Sequence, residues 1–476
     1  MVEAPLHFKT ISELTLLIKE KKITSVELTS YFLERIRNLN PTLNAYSLIC
    51  DDRALKKAQQ IDKIIKNGGK LGPLAGVPFA VKNLFDIKGN VTLAGSKINY
   101  DNKVAKQDAI LIRRMEREGA ILLGATSMGE FAYDFTGENI HFGNCQNPHK
   151  LGYMSGGSSS GSASATSAGI APISLGSDTN GSIRVPASFC GIFGLKPTYG
   201  RLPRTGTYPF VDSLDHLGLF ARNIPDLSQC FDLIQGFDEK DHVCIDRENI
   251  DTHSQIGLGI KNLRIAKAGG YFSTKNFPQA KKAIDKVCES LSVNSTVNID
   301  GTLEGRAAAY IITNVEGSSL HRDHLKKNLS DFDPDTRDRF IAGAMLPGSW
   351  YVRSQQVRKW FKEKFLTKFN EVDIIIAPAT PCTAPAMGQK KILINQQEEL
   401  LRPNLGYFTQ PISAIGLPSC VIPTIDEESQ LPIGVQIIAP PWREDLCLRV
   451  ANFLEKKGFS SPSPVENNPF FKTGKI

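Results

Sequence analysis

The chain has no CxxC pair, no apolar run approaching the roughly 18 residues a membrane span needs, and no long basic run interleaved with aromatics. Each absence removes a class of function. The nine cysteines, from Cys50 to Cys447, are odd in number and widely spaced, which argues against a disulfide framework and against a zinc site. A reducing compartment suits such thiols. Residues 1–10 show no basic segment followed by an apolar one, so the expected location is the cytoplasm. Fifty-six Lys plus Arg against 49 Asp plus Glu leave a charge of +7, but the basic residues are scattered, as at Lys56-Lys57 and Lys326-Lys327. That pattern suits a solvated surface, and direct nucleic-acid binding is not expected.

Internal repeats and long low-complexity linkers are also missing, so one large domain over residues 1–476 is preferred to two. What is present is an ordinary globular balance, 41% hydrophobic and 22% charged. Helical patterns occupy residues 10–40. The second starts at Thr24 with Glu27 three positions on, a capping box, and carries Leu28, Phe32, Ile36 and Leu39 at helical spacing. A catalytic core is expected over about 70–235, where apolar runs at 77–81, 120–123, 170–175 and 192–195 alternate with helix-forming stretches. A more polar covering segment follows over about 237–333, with one clear helix near 279–291. Runs at 372–377, 420–422 and 433–438 and a helix at 444–456 complete the sheet within about 334–460. Alternating strands and helices predict an α/β fold.

Chemistry concentrates in residues 156–198, GGSSSGSASATSAGIAPISLGSDTNGSIRVPASFCGIFGLKPT. Gly/Ser-rich stretches are commonly flexible linkers. A linker, however, is not followed by an apolar strand, a second glycine turn with one serine, an arginine and a proline-initiated helix. In the turn Asp178-Thr179-Asn180-Gly181, small residues permit unusual backbone angles, and consecutive N–H groups converging there would suit a developing oxyanion next to Ser182. Asp178 and Arg184 flank that serine and are expected to pin the loop by paired hydrogen bonds.

A serine nucleophile needs a base. None of the eight histidines lies in these motifs, and no GxSxG elbow is present. Lys82 remains, closing the run Gly76-Val77-Pro78-Phe79-Ala80-Val81-Lys82-Asn83. A lysine after a strand is most often a solvated edge charge, but burial beneath the serine loops would lower its pKa and make a neutral amine of it.

Taken together, GVPFAVKN, GGSSSG and GSDTNGSIRVPASFCGIFGLKPT resemble the amidase signature family in order and spacing. The resemblance implies a central mixed sheet covered by helices on both faces and an amide hydrolase that needs no metal or organic cofactor. It implies Ser182 as nucleophile, Ser158 as the bridging cis-serine and Lys82 as base, with the backbone N–H groups of Thr179, Asn180, Gly181 and Ser182 as the oxyanion hole. Ser159 is either an assistant to Ser158 or a loop hydroxyl.

Outside these motifs, AVKNLFDIKG, AGSKIN, MGEFAYDFTGEN, SLDHLG, AGAMLPGSW and RPNLGYFTQPISAIGLP resemble the AtzE-type, 1-carboxybiuret-hydrolysing group. The A subunit of glutamyl-tRNA amidotransferase is the alternative. That protein reads KDN after its strand lysine, where Asn83-Leu84 stands here, and carries an acidic residue where Gly406 precedes Thr409-Gln410-Pro411. Without a carboxylate for a substrate α-ammonium, a small carboxylated amide fits better than glutamine. Arg339 is then the candidate cation, against the alternative of a surface arginine, and Tyr133 a second pocket residue. The resemblance further implies a small AtzG-like helical partner, while the chain itself is compatible with a monomer or a homo-oligomer. A catalytically silent binding subunit on the same scaffold is the alternative of another class.

Overall fold

In a computed structural model, which describes residues 4–394 and 396–464, eleven strands form one mixed sheet. In chain order they are β1 (Tyr46–Ile49), β2 (Pro78–Lys82), β3 (Ile121–Thr126), β4 (Ile173–Asp178), β5 (Phe193–Lys196), β6 (His216–Ala221), β7 (Ile265–Ala268), β8 (Thr296–Val297), β9 (Ile374–Pro378), β10 (Ser419–Ile425) and β11 (Pro432–Ile438). Across the sheet they run β1-β3-β2-β4-β6-β5-β10-β11-β9-β7-β8. Neighbours β3/β2, β2/β4, β9/β7 and β7/β8 are parallel, and the other pairs are antiparallel. Strands β2 and β11 are buried at every residue, which is why they read as nearly unbroken apolar runs.

Helix α1 (Ser25–Leu43) begins at the capping box: the Thr24 hydroxyl accepts from the Glu27 N–H and the Glu27 carboxylate accepts from the Thr24 N–H. Its buried Leu28, Phe32 and Ile36 join Ile121, Leu123 and Ile170 in one apolar cluster. Each such side chain contributes about 1.5–3 kcal/mol of burial. Helix α1 therefore lies across the body of the protein, as its apolar stripe requires.

The serine-rich stretch is the reverse of a linker. It forms α2 (Ser160–Ser167), buried at every residue. Small side chains let it sit against the strands, and its hydroxyls find partners there: Ser162 donates to the Leu175 carbonyl and pairs with Thr126, and Thr166 pairs with Ser174. Helix α3 (Arg184–Cys190) follows the glycine turn, with Pro186 at its third position, where a missing N–H costs nothing.

Two expectations shift. The strand predicted at 170–175 lies at Ile173–Asp178, because pairing with β6 continues past the apolar residues to Asp178 opposite His216. The polar stretch over 237–333 is more than a cover. It supplies β7 and β8 at the sheet edge, where short half-buried strands suffice, as well as helices α4 (Pro278–Ser290) and α5 (Thr302–Leu320). Beyond it come α6 (Pro334–Ala344), α7 (Gly348–Thr367) and, after β11, α8 (Glu444–Lys456). Among the described residues no helix is long and apolar enough to cross a membrane.

Candidate active site

Strand β2 ends on Lys82, which is fully buried rather than a solvated edge charge. Its Nζ donates to Ser158 Oγ at 2.7 Å and to Ser177 Oγ at 2.9 Å. Burial dominates the electrostatics and lowers the Lys82 pKa to about 7, opposed by the charges of Asp215, Asp178 and Asp134. At neutral pH a large fraction of the amine is thus unprotonated and has a lone pair to offer Ser158. The Gly157–Ser158 peptide is cis. Ser159 is a loop hydroxyl: it donates to the Ser177 carbonyl at 3.1 Å and accepts from the Ser177 N–H at 3.3 Å, so it positions the strand residue that holds Lys82.

Ser177 lies within the GSDTNGS stretch, but nothing in the sequence says that it reaches Lys82. Its register on β4, parallel to β2 and two residues beyond the Val81–Leu175 pair, aims its side chain at Lys82, and only the strand pairing reveals this.

The glycine turn after β4 is held from all sides. Thr179 Oγ1 donates to Asp215 at 2.6 Å, and Thr409 Oγ1 donates to the Asn180 carbonyl at 2.9 Å. Gly181 has φ +142°, and a Cβ there would lie 2.1 Å from Thr409 Oγ1, so no other residue fits. The backbone N–H groups of Thr179, Asn180, Gly181 and Ser182 donate to no acceptor among the described residues, which leaves four donors grouped beside the buried Ser182.

Asp178 and Arg184 pin the turn as expected. The guanidinium donates from Nε and Nη2 to the two carboxylate oxygens, each at 3.0 Å, and from Nη1 to Gln436 at 3.0 Å. Ser413 donates to Asp178 at 2.8 Å, and the Ile183 N–H donates at 3.2 Å. Burial works to raise the Asp178 pKa, but the Arg184 charge and hydrogen bonds outweigh it and hold the carboxyl well below the usual range. A second buried lysine, Lys196, is also lowered to about 7 by burial and by the Arg184 charge, yet it donates to the carbonyls of Pro197 and Leu417 and lines no part of the Ser182 cavity.

That cavity is narrow, with about 20 Å³ free, room for about one water. Ser182, Thr179 and Asn180 form one wall, and Tyr133, Tyr310 and Arg339 face them. Both pocket residues suggested by sequence are therefore present. The Arg339 guanidinium stacks over the Tyr133 ring at 3.7 Å and donates to the Tyr133 and Asp335 carbonyls at 2.5 and 2.7 Å. It is Arg337, not Arg339, that pairs with Asp338. The Tyr133 hydroxyl donates to Asn314 on α5 at 2.8 Å. Tyr310, Arg339 and Pro403 also line an outer pocket of about 320 Å³ that reaches Lys390 and Arg402, so these three side chains separate Ser182 from the surface. A roomier cavity of about 470 Å³ near Tyr153 and Gln279 holds none of the serines or lysines above and has no part in this chemistry. Gly406 lies under Phe135, where a Cβ would come within 2.5 Å of the ring, so no acidic side chain fits that position as packed.

A lysine–serine pair buried beside a glycine turn that carries a second serine is the equipment of an amide hydrolase. The amidase family model matches residues 27–448, and the chain belongs to the amidase family. It is 47% identical over 419 residues to AtzE of Pseudomonas sp. (strain ADP), a 1-carboxybiuret hydrolase subunit, covering 88% of this chain and 92% of that one. It is 34% identical over 477 residues to the second A-type subunit of glutamyl-tRNA(Gln) amidotransferase from Clostridium acetobutylicum, covering 94% and 98%. Among solved structures, an s-triazine catabolic enzyme described with a vestigial protein complex superposes with TM-score 0.93 at 44% identity, over 95% of this chain and 99% of that one.

Proposed function

We propose that this chain, as a single catalytic domain, hydrolyses the terminal amide of a small carboxylated ureide, 1-carboxybiuret or a close relative, with release of ammonia. The observation that carries the reading is the 2.7 Å bond between a buried Lys82, pKa about 7, and Ser158. Neutral Lys82 takes the Ser158 proton, Ser158 takes that of Ser182, and Ser182 Oγ adds to the amide carbonyl. The four N–H groups of residues 179–182 receive the oxyanion. Collapse breaks the C–N bond, the relay returns its proton to the nitrogen, and ammonia leaves. Water then adds to the acyl-enzyme by the same relay in reverse and frees a carboxylated product and Ser182.

Substrate class is supported by the half-buried Arg339 in the Ser182 cavity, which suits a carboxylate, by Gly406, whose place under Phe135 excludes a carboxylate there, and by Asp134, the one acidic side chain among the described residues lining the cavity, which Arg402 and the Thr136 and Gly137 N–H groups already hold. The 47% identity to AtzE, against 34% to an amidotransferase protein, favours the same choice. We further propose that a small helical subunit joins this chain, supported by the complex in which the related s-triazine enzyme occurs, and that the protein works in the cytoplasm, where its free thiols stay reduced.

The test is ammonia release from 1-carboxybiuret, biuret and glutamine by wild type and Ser182→Ala, with and without such a subunit. Turnover of the carboxylated ureide that Ser182→Ala lowers by roughly 10⁴-fold or more supports the reading. Turnover of glutamine alone would contradict it.

A further inference from the structure

Among the described residues lining the Ser182 cavity, one enclosed side-chain polar atom has no hydrogen-bond partner: Oδ1 of Asn180. The residue is only 7% exposed. Its Nδ2 donates to Thr313 Oγ1 on α5 at 2.9 Å, and its own carbonyl accepts from Thr409 at 2.9 Å, so backbone and amide are fixed and the oxygen is the free side. Buried acceptors are nearly always satisfied, and one left open in a cavity with room for about one water takes its donor from that water or from the substrate that displaces it.

We propose that the Asn180 side chain is a specificity-determining residue that accepts an N–H of the substrate on the acyl side of the scissile carbonyl, selecting ureides over carbon-chain amides. This rests on the amide-hydrolase reading above. In this assignment the scissile oxygen sits among the N–H groups of residues 179–182, and Oδ1 of the adjoining Asn180 side chain meets the atom that follows the carbonyl carbon. In a ureide that atom is an N–H, which donates to Oδ1. In a simple carboxamide it is a methylene, and the acceptor stays unpaired. Sites built to receive a hydrogen bond reject analogues that lack it far more strongly than apolar pockets reject a missing methyl group.

Two stable acids isolate this difference: 3-ureidopropionate and glutaramate, equal in length and charge and differing only in NH against CH₂ next to the primary amide. Their dissociation constants are measured by calorimetry on Ser182→Ala, which cannot turn them over, and on Ser182→Ala combined with Asn180→Ala or Thr313→Val. The expected result is a preference of roughly 10-fold or more for the ureido acid in Ser182→Ala, falling to about 2-fold with Asn180→Ala while glutaramate binding stays put. Thr313→Val, which frees the amide to rotate, gives an intermediate preference. An unchanged preference in the double variant, or equal weakening of both acids, would overturn the assignment and leave the hydrolase reading intact. Failure of Ser182→Ala to bind either acid would overturn this assignment and the carboxylated-amide reading together.

Discussion

The catalytic turn and the wall opposite it are built on different principles. Residues 156–198 are almost wholly buried, and backbone carbonyls, a bidentate ion pair and fully enclosed hydroxyls hold their side chains in place. The facing wall is assembled from Tyr133, Tyr310, Arg339 and Pro403, drawn from four separate stretches, and Tyr310 remains 42% exposed. The stretch proposed to present the nucleophile and the oxyanion nest is thus the rigid one. The other wall is pinned at Tyr133 and Arg339 by contacts among separate segments and opens to solvent at Tyr310.

Substitutions on the two sides should therefore differ in kind. The largest effect on rate among these three is expected for Gly181→Ala: the added carbon collides with Thr409 Oγ1 and the residue is forced at φ +142°, so kcat should fall by about 10²–10³-fold as the nest is displaced, with a lowered Tm. Steady-state kinetics with a melting curve checks both. Comparable in size, but on stability and not on rate, is Arg184→Met, which strands a fully buried Asp178 carboxylate and should cost about 3–5 kcal/mol by denaturant unfolding. The smallest is Arg339→Gln on the facing wall. It should raise KM for anionic amides by roughly 10-fold, with kcat and Tm little changed and neutral amides barely affected. A large loss of Tm in Arg339→Gln, or an unchanged one in Arg184→Met, would erase the contrast between the two sides.

The same contrast explains what is legible in the sequence. Lys82, Ser158 and Ser182 can be located because the turn tolerates few residue types: Gly181 admits no Cβ, and the serines of α2 must be small to bury against strands. The α/β character and most strands follow from apolar runs, although β4 runs three residues further because pairing, not hydrophobicity, ends it. Ser177, Asp215 and Thr409 fall inside recognisable motifs, but nothing there announces their contacts. They are ordinary polar residues whose roles arise only when distant segments meet: Ser177 through strand register, Asp215 and Thr409 through loops that close on the turn. The strands at the far edge, β7 and β8, are hidden for the reason that edge strands need little apolar length.

Lys82 as the neutral base is the central claim, and the pH profile of kcat/KM tests it most directly. Its pKa is depressed from an ordinary lysine value of 10.5 to about 7, so the active, unprotonated form fills as pH rises through 7. Wild type should show an acid limb with an apparent pKa near 7, and Lys82→Ala should lose roughly 10³-fold or more of the activity together with that limb. An acid limb near 7 that survives in Lys82→Ala would assign the titration to another group, such as Lys196, and contradict the account.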